Sequence, residues 1–411
     1  MTNTTTNYIQ TEIGLIPEDW KIGNMLDNST LKARIGWQGL TTAEYLDSGD
    51  YFLVTGTDFF DGKIKWHTCH YVEELRYVQD RNIQLKEDDI LVTKDGTIGK
   101  VAIVDKMTIP ATLNSGVFVV RPIRNSYNPK FLYYVLKSSL FDLFLSQLVA
   151  GSTIQHLYQK DFVFFKFPIP SIQEQTAIAQ ALSDTDNLIT KLQNLINKKR
   201  KLKQATMHKL LTPKDNWEHK ILGEICEVKK GKGISKSQLN NDGKYKCILY
   251  GELFTTYDEV INNVVSKTNF EDSVYSKEGD ILFPSSTTTT GIDLAKASTI
   301  LENDVLLGGD IIIVRKLKYK YNSIFLSYFL NEIKRFEIAQ NTKGITIHHL
   351  YGSDLMRITL DFPHINEQNE IATILTNMDN EIKNLKNKLD KTLLVKQGMM
   401  HQLLTGIIRL V

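Results

Sequence analysis

The stretch IQHLYQKDF, from Ile154 to Phe162, returns 193 positions later as IHHLYGSDL, from Ile347 to Leu355. The match continues at the same offset without a gap: SIQEQTAIAQAL (171–182) aligns with HINEQNEIATIL (364–375), and KQATMHKLLT (203–212) aligns with KQGMMHQLLT (396–405). A constant offset over this length indicates a tandem duplication. We therefore expect two similar halves, and a function that depends on what the halves do together.

Each half begins with a region of short predicted strands. These strands are runs of β-branched and aromatic residues bounded by Gly, Asp or Pro. In the first half they are YFLVTG (51–56), DILVT (89–93), VAIV (101–104) and VFVVRP (117–122), and in the second DILF (280–283) and DIIIVRK (310–316). Residues 28–85 and 224–276 show little mutual similarity, so the two halves are expected to contact different things.

A helix is predicted after the last strand of each half. Asn128 and Pro129 supply an N-cap and a proline at the first helical position, and Gly151 supplies a stop. The first helix should therefore run through 128–150, about six turns. Its counterpart is predicted at 323–340.

The repeated segments end in two long helical patterns. Apolar residues recur at heptad spacing in both: Leu182, Ile189, Leu192 and Ile196 in the first, and Leu375, Ile382, Leu385 and Leu389 in the second. We predict that the two helices pair as an antiparallel coiled coil, a rod of roughly 50 Å. The alternative is that each helix packs on its own domain. Pairing would give an α+β protein with a pseudo-two-fold axis and a mixed α/β domain at each end, a geometry in which DNA-binding dimers place two readers ~34 Å apart.

Composition excludes several classes of protein. The chain has 411 residues, and 49 Lys and Arg oppose 47 Asp and Glu, so its net charge of +2 gives no overall basic field. Three scattered cysteines, Cys69, Cys226 and Cys247, fit a reducing cytoplasm. No signal peptide is recognised at the start, and charged residues interrupt the most apolar segment, 131–150, so a cytoplasmic protein without membrane spans is expected.

Motifs for catalysis were not found. The chain lacks a phosphate-binding loop, a dinucleotide-binding glycine loop, and the sequence patterns of base methylation and of metal-dependent nucleases. His67, Cys69 and His70 lie close together, but no second cluster completes a zinc site. We therefore expect no catalytic residue, no metal and no cofactor on this chain. An enzyme with an unrecognised site is the weakest alternative.

Three polar stretches are candidates for contact with DNA phosphates. Two loops follow equivalent predicted strands and contain Lys94, Thr97 and Lys100 in the first half and Ser285, Ser286, Thr287 and Thr288 in the second. The third stretch is KKGKGISKS (229–237), with Lys229, Lys230, Lys232 and Lys236, where glycines would let the backbone approach a phosphate. Ordinary surface loops are the alternative interpretation. The basic run KKRKLK (198–203) is equally well explained as a solvated helix face.

The repeated words also carry a family likeness. IGLIPEDW (13–20), GSTIQHLY (151–158), KGITIHHLY (343–351) and the endings MHKLLT and MHQLLTG resemble the DNA-specificity subunit of type I restriction-modification systems over nearly the whole chain. The resemblance implies target recognition domains at 1–170 and 213–362 and repeated spacer helices at 171–212 and 363–411. Each domain would read one half of an asymmetric bipartite site, and the coiled coil would set the spacer between the halves.

The resemblance also implies partners. A specificity subunit binds double-stranded DNA and two modification subunits, which bind S-adenosylmethionine and methylate adenine, and through them two restriction subunits. The competing hypothesis is a coiled-coil scaffold that joins partners without reading DNA. His364 and Asn366 stand where the first copy has Ser171 and Gln173, so contacts there need not be equivalent.

Overall fold

The computed structural model describes residues 7–35, 39–149 and 156–410. It divides into two compact units, of which unit 1 contains Met1–Lys191 and Lys388–Val411, and unit 2 contains Leu192–Asn387. Each boundary falls inside a long helix, so each unit includes part of both long helices. Unit 1 is therefore discontinuous in sequence, whereas unit 2 is one continuous segment.

Unit 1 holds the first thirteen strands, the first six helices, of which the last continues into unit 2, and the end of the second long helix. The strands are β1 (Tyr8–Thr11), β2 (Gly14–Pro17), β3 (Lys21–Asn24), β4 (Ser29–Lys32), β5 (Phe52–Val54), β6 (Phe59–Phe60), β7 (Lys63–Ile64), β8 (His70–Tyr71), β9 (Ile90–Thr93), β10 (Val101–Ile103), β11 (Ala111–Leu113), β12 (Val117–Pro122) and β13 (Lys166–Ile169). The helices are α1 (Met25–Asn28), α2 (Glu74–Val78), α3 (Pro129–Leu136), α4 (Ser139–Val149), α5 (Gln159–Phe162) and α6 (Ile172–Leu211).

Unit 2 repeats the main strands and helices of unit 1, although several short elements differ. Its strands are β14 (Glu218–Ile221), β15 (Cys226–Lys230), β16 (Tyr245–Ile248), β17 (Val260–Ile261), β18 (Lys267–Thr268), β19 (Val274–Tyr275), β20 (Ile281–Pro284), β21 (Ser286–Thr287), β22 (Ser298–Ile300), β23 (Leu306–Leu307), β24 (Ile311–Lys316), β25 (His348–His349) and β26 (Thr359–Phe362). Its helices are α7 (Leu222–Ile225), α8 (Glu252–Thr255), α9 (Gly291–Leu294), α10 (Ser323–Glu332), α11 (Arg335–Gln340), α12 (Gly352–Leu355) and α13 (Ile365–Leu404).

The strands predicted from the sequence are confirmed, and they form equivalent sheets in the two units. In unit 1, β10-β9-β12-β4 form an antiparallel sheet and β11-β5-β8 a second one in which β5 and β11 are parallel. In unit 2 the corresponding orders are β15-β24-β20-β22-β17 and β18-β16-β23-β19, with β16 and β23 parallel.

The central strands read as continuous apolar runs because both faces of their sheet are covered. Ile90 and Val92 of β9 pack with α3 in one hydrophobic cluster, whereas Leu91 between them packs with the strands of the second sheet. Strand β20 of unit 2 alternates in the same way between two clusters. Burial on both faces removes the polar alternation that a one-sided sheet shows.

The predicted six-turn helix at 128–150 is wrong, because the segment forms two helices, α3 and α4. Asn128 caps α3 as expected, since its side chain accepts hydrogen bonds from the backbone of the first turn. Ser138 then interrupts the helix: its hydroxyl donates to the Val135 carbonyl at 2.7 Å and accepts from the Leu140 amide at 3.3 Å. The segment at 323–340 is divided likewise into α10 and α11. The expected stop at Gly151 lies outside the described residues.

The two long helices are α6 and α13, each of 40 residues. The residues predicted at their interface are buried at Leu182, Ile189, Leu192, Ile196, Leu375 and Ile382, and partly buried at Leu385 and Leu389. In unit 2, Lys199 and Lys203 of α6 pair with Glu381 and Asp379 of α13, so residue numbers rise along one helix as they fall along the other. The helices are therefore antiparallel, as predicted, and they also pack on the domains.

Each unit contains the same three-residue contact between a domain and both long helices. In unit 1, Tyr134 of α3 donates to Asp186 of α6 at 2.8 Å, and the same carboxylate pairs with Lys396 of α13. In unit 2, Tyr328 donates to Asp379, which pairs with Lys203 at 2.6 Å. We call these contacts the Tyr-Asp-Lys triads. The helix that supplies the aspartate in one unit supplies the lysine in the other, as a pseudo-two-fold duplication requires.

The repeated segments both contain a Glu-Gln pair, at 174–175 and at 367–368, and its glutamine has a structural role. Gln175 accepts a hydrogen bond from the Asn128 amide at 2.8 Å and donates to the Pro170 carbonyl at 2.9 Å. Its counterpart Gln368 makes the same two contacts in unit 2. Because both glutamines are buried, each satisfies backbone groups that would otherwise lack partners.

The two units differ where the chain enters them. In unit 1 the Trp20 indole donates to Glu174 at 3.1 Å, and Arg409 donates to both Glu174 and Asp19. These two carboxylates raise the pKa of Arg409 above its usual value. In unit 2 the equivalent indole of Trp217 is buried without a partner among the described residues. The segment that follows α13 thus completes unit 1.

The triads predict a difference between two tyrosine-to-phenylalanine substitutions. Burial raises the pKa of Tyr328, so its hydroxyl stays protonated and donates to Asp379. Tyr328→Phe should lower the free energy of unfolding of unit 2 by about 1.5–3 kcal/mol, the contribution of a hydrogen bond to a charged group. The measurement is urea denaturation followed by circular dichroism.

Tyr319→Phe is the control, because its hydroxyl donates to the exposed carboxylate of Glu218 and should contribute less than about 0.5 kcal/mol. Equal losses of unfolding free energy in the two variants would show that the buried Tyr328–Asp379 hydrogen bond contributes no more stability than an exposed one.

Candidate nucleic-acid interface

The repeated motif His-Leu-Tyr (156–158 and 349–351) holds a loop in the same place in each unit. The Leu157 amide donates to the Lys94 carbonyl at 2.8 Å, and the Leu350 amide donates to the Ser285 carbonyl at 2.9 Å. Lys94 and Ser285 are the first residues after the equivalent strands β9 and β20. The duplicated segment therefore supports the two loops that the sequence analysis selected, although their own sequences differ.

The histidine of each repeated motif contacts the second residue of the loop, which is Asp95 in unit 1 and Ser286 in unit 2. The ring of His156 faces the carboxylate of Asp95, and the two residues form an isolated β-bridge. In unit 2, His349 pairs with Ser286 along the short strands β21 and β25. Both histidines thus help to position a loop.

The loop of unit 1 is closed by its own hydrogen bonds. The Lys100 amide donates to the Thr93 hydroxyl at 2.9 Å, and the turn uses Gly96 and Gly99 at positive φ. The side chain of Lys100 is exposed at the rim, whereas Lys94 is partly buried with its Nζ 5.4 Å from the Phe118 ring centroid. Of the candidate cations in this loop, Lys100 is the more accessible to a ligand.

The loop of unit 2 presents hydroxyl groups of different accessibility. Ser285 is buried, Ser286 and Thr287 are partly buried, and Thr288 is exposed. The following hydroxyls of Thr289 and Thr290 donate to Asp293 and hold the pKa of that carboxyl below its usual value. Thr288 is therefore the candidate of this loop that is best placed to meet another molecule.

The basic stretch at 229–237 carries fewer free cations than its sequence suggests. Lys232 pairs with Asp272 at 2.7 Å, Lys229 with Glu227 at 3.1 Å and Lys230 with Asp310 at 3.8 Å. Lys236 has no ion-pair partner among the described residues. Exposed ion pairs of this kind are weak, so a phosphate can compete for the lysines, but Lys236 needs no exchange of partner.

The glycines of the same stretch are explained by packing within unit 2. A Cβ atom on Gly231 would lie 2.0 Å from the carbonyl oxygen of Gly308. The adjoining backbone is fixed by hydrogen bonds from Lys232 to Leu307 at 3.1 Å and from Gly309 to Gly233 at 2.9 Å. The close approach expected at these glycines is therefore filled by the protein's own backbone.

A cavity of about 510 Å³, lined by residues with polar side chains and by glycines, opens beside the loop of unit 1. Its lining includes Thr97 and Lys100, which the sequence indicated as candidates for DNA contact. It also includes Tyr45, His70 and Asn114, which the sequence did not indicate. The missed residues come from separate chain segments, and nothing in the sequence places them together. The one available signal was that Asn114 directly follows a strand.

Two kinds of feature were looked for among the described residues: clusters of metal-binding side chains and long apolar helices. Among the described residues, no three His, Cys, Asp or Glu side chains converge as a metal site would require. His67, Cys69 and His70 follow one another around a short turn, and burial raises the pKa of the Cys69 thiol. None of the helices in the described ranges combines the length and hydrophobicity of a membrane span.

Comparisons with known proteins agree on one family. The model of the type I restriction modification DNA specificity domain matches residues 38–203 and, a second time, residues 214–393. A protein of Methanocaldococcus jannaschii assigned as the type I restriction enzyme MjaX specificity subunit is 28% identical, and the match covers 98% of this chain and 97% of that protein. The type I restriction enzyme MjaVIII specificity subunit of the same organism is 27% identical, with 81% and 82% covered.

Solved structures show the same fold. The S subunit of the type I restriction-modification system from M. genitalium superposes with a TM-score of 0.60 over 98% of both chains, at 18% identity. A chain from a structure concerned with complex assembly and conformational transition of the type I R-M system gives a TM-score of 0.51 over 96% of this chain and 99% of that one, at 15% identity. Two similar domains with long helices are thus a fold found in solved S subunits.

The two explanations of Gly231 predict opposite results for Gly231→Ala in the absence of DNA. The added Cβ would meet the Gly308 carbonyl, so the variant should lose about 1–3 kcal/mol of unfolding free energy, as overpacked sites do. Gly398→Ala is the control: it lies within α13 with nothing near its added Cβ, and should gain about 0.5–1 kcal/mol. Thermal melting measures both. A Gly231→Ala protein that melts like the wild type but binds DNA more weakly would favour a direct phosphate contact.

Proposed function

Because this chain belongs to the type I restriction modification DNA specificity family, we propose that it selects the DNA sequence on which a type I restriction-modification complex acts. Each unit reads one half of a bipartite site. The observation that carries the proposal is the double match of the family model, which falls on two units built from equivalent strands and equivalent long-helix contacts.

The two half-sites should differ in sequence. The elements that hold the loops are duplicated, as the amides of Leu157 and Leu350 illustrate. Residues 28–85 and 224–276, by contrast, show little mutual similarity, so the donors and acceptors that they present to base edges should differ. Base edges in the major groove are distinguished by such differences in donors and acceptors. An asymmetric site is therefore the expected target.

The candidate residues divide into two roles under this proposal. Lys94, Lys100 and the lysines at 229, 230, 232 and 236 neutralise phosphates, and the hydroxyl groups of Thr97 and of residues 285–288 position the DNA backbone. Lys100 and Lys236 should contribute most among the lysines, because both are exposed and neither forms an ion pair with the described residues, and the exposed Thr288 should contribute most among residues 285–288.

Catalysis is assigned to partner subunits. We propose that two modification subunits bind this chain, carry S-adenosylmethionine and methylate adenine, and that restriction subunits join through them. This chain then needs no cofactor of its own, and it acts in the cytoplasm, where the chromosome lies.

The long helices are proposed to set the spacer between the half-sites. Helix α6 contributes Ile172–Lys191 to unit 1 and Leu192–Leu211 to unit 2, and α13 is divided in the same way. The Tyr-Asp-Lys triads fix each domain to both helices. The length of helix between one triad and the other should therefore determine the number of unread base pairs.

Single-molecule sequencing of host DNA tests the proposal. The chain is co-expressed with a modification subunit in a host that lacks methyladenine, and the expected result is one asymmetric, bipartite methylation motif with a fixed spacer. A stable complex without any motif would favour the scaffold hypothesis. Omission of this chain while the modification subunit is retained is the control, and a motif that persists there would refute the proposal.

The spacer can be changed without disturbing either triad. A heptad inserted after Lys191 in α6 and another after Asn387 in α13 keep the apolar pattern in register. Seven residues add about 10.5 Å at ~1.5 Å each, or about three base pairs at ~3.4 Å per pair. The methylation motif should keep both half-sites and gain a spacer longer by about three base pairs. An unchanged spacer would remove the helices from this role.

A further inference from the structure

The cavity beside the loop of unit 1 lies where three strands end. Strands β5 and β11 are parallel, so their carboxyl ends meet at one edge of the sheet, and the loop after β9 reaches the same place. Side chains at such an edge are held by rigid strands while they face outward. The cavity combines this rigid support with an opening of about 510 Å³.

Several polar groups of this cavity have no hydrogen-bond partner in the described parts of the chain. They are the Tyr45 hydroxyl, the His70 ring, the Asn114 amide nitrogen and the Lys100 ammonium. Tyr45 and His70 also lie ring against ring, with centroids 5.4 Å apart. Donors and acceptors that lack protein partners and lie together in a cavity point to a ligand. Water alone could satisfy them equally well at separate places on the surface.

The mixture of groups favours base edges over phosphate. A phosphate site needs several cations or amides, whereas this cavity has one lysine and a carboxylate, Asp95, that faces His156. Asn, His and Tyr side chains can both donate and accept hydrogen bonds, which is the capacity that the alternating pattern of the major groove requires. Lys100, exposed at the rim, suits the neighbouring phosphate.

Asn114 is held in place from below by a buried arginine. Arg34 is 1% exposed, and it donates to the Leu113 carbonyl at 2.9 Å and to the Thr112 hydroxyl at 3.2 Å. No carboxylate lies within ion-pair distance of Arg34 in the described residues, and burial lowers its pKa from the usual value. A cation this costly to bury fixes the end of β11, immediately before Asn114.

In unit 2 the equivalent position is built differently, from closely packed backbone. The register of β16 with β23 places Gly308 where unit 1 has Asn114. A Cβ on Gly308 would be 3.1 Å from the Ile248 carbonyl, and the Lys232 amide donates to Leu307 where Arg34 donates to Leu113 in unit 1. The backbone of residues 231–233 thus takes the place of the Arg34 side chain, and a glycine stands in the position of Asn114.

We propose that this cavity reads base edges of the half-site recognised by the first domain, with Tyr45, His70 and Asn114 as specificity-determining residues. The inference rests on the proposed function, because it assumes that unit 1 binds duplex DNA. Lys100 anchors the adjacent phosphate and carries no sequence preference. Arg34 is a positioning residue that acts through the end of β11.

Two substitutions test the assignment with little risk to the fold. Asn114→Asp keeps the oxygen that accepts from the Gly116 amide at 3.0 Å but replaces the amide donor by an acceptor. His70→Ala removes an exposed ring that makes no side-chain hydrogen bond to the described residues. Each variant is co-expressed with the modification subunit, and the methylation motif of host DNA is compared with that of the wild type.

The expected result is a change confined to one half-site. Asn114→Asp should lower the preference at one base position about tenfold or more and shift it towards a base that offers a donor, such as cytosine. His70→Ala should relax a position of the same half-site. Lys100→Ala should reduce methylation at all sites without changing the motif, and it lowers the salt dependence of binding by about one phosphate contact.

The second half-site serves as the internal control. Motifs identical to the wild type in both variants would overturn the inference, and so would equal degradation of both half-sites together with a lower melting temperature, since that pattern indicates a general loss of structure. Failure to find a bipartite motif with the wild-type protein would contradict the proposed function itself. A wild-type motif that both variants leave unchanged would contradict only the assignment of this cavity.

Discussion

One carboxylate on a long helix joins each domain to the helical pair: Asp186 in unit 1 and Asp379 in unit 2. Each accepts from a buried tyrosine of the domain and pairs with a lysine of the opposite helix. A carboxylate that has both partners fixes three elements at once, and the loss of either partner leaves the other group less well satisfied. Because each unit has its own Tyr-Asp-Lys triad, the domains that carry the two candidate loops are attached to the long helices by the same contacts.

This support explains how the two halves can resemble each other and still act differently. The repeated residues, such as Gln175 and Leu157, hydrogen-bond to backbone groups, which every sequence possesses. The loops that they hold are consequently free to change their side chains. An arginine buried in one unit has its place taken by backbone in the other, and a cavity exists in one unit where glycines pack in the other. The duplicated residues that support the loops are thus similar in the two units, whereas the loops and the groups around them differ.

The features that the sequence predicted are those set by local pattern. The strands, the duplicated plan and the two long helices follow from apolar runs, turn residues and heptads, and the structure confirms them. The break at Ser138 was missed because a serine hydroxyl can either continue a helix or cap the next one, and periodicity does not distinguish the two. The contact of Gly231 with Gly308 and the ion pairs of Lys229 and Lys232 depend on residues distant in the chain, so composition overstated the basic character of that stretch. The cavity residues Tyr45, His70 and Asn114 meet only after folding.

The discontinuity of unit 1 has a consequence for biosynthesis. Residues 192–387 form unit 2 as one segment, so this unit can fold as soon as that segment has left the ribosome. Unit 1 is made first but waits for residues 388–410, which bring Lys396 to Asp186 and Arg409 to Glu174. Until then the apolar surface that these residues cover is exposed, and the nascent chain has one finished domain and one unfinished one. A chain truncated just after residue 387 would therefore have a complete unit 2 and a unit 1 with exposed apolar surface, which is the kind of surface that chaperones bind.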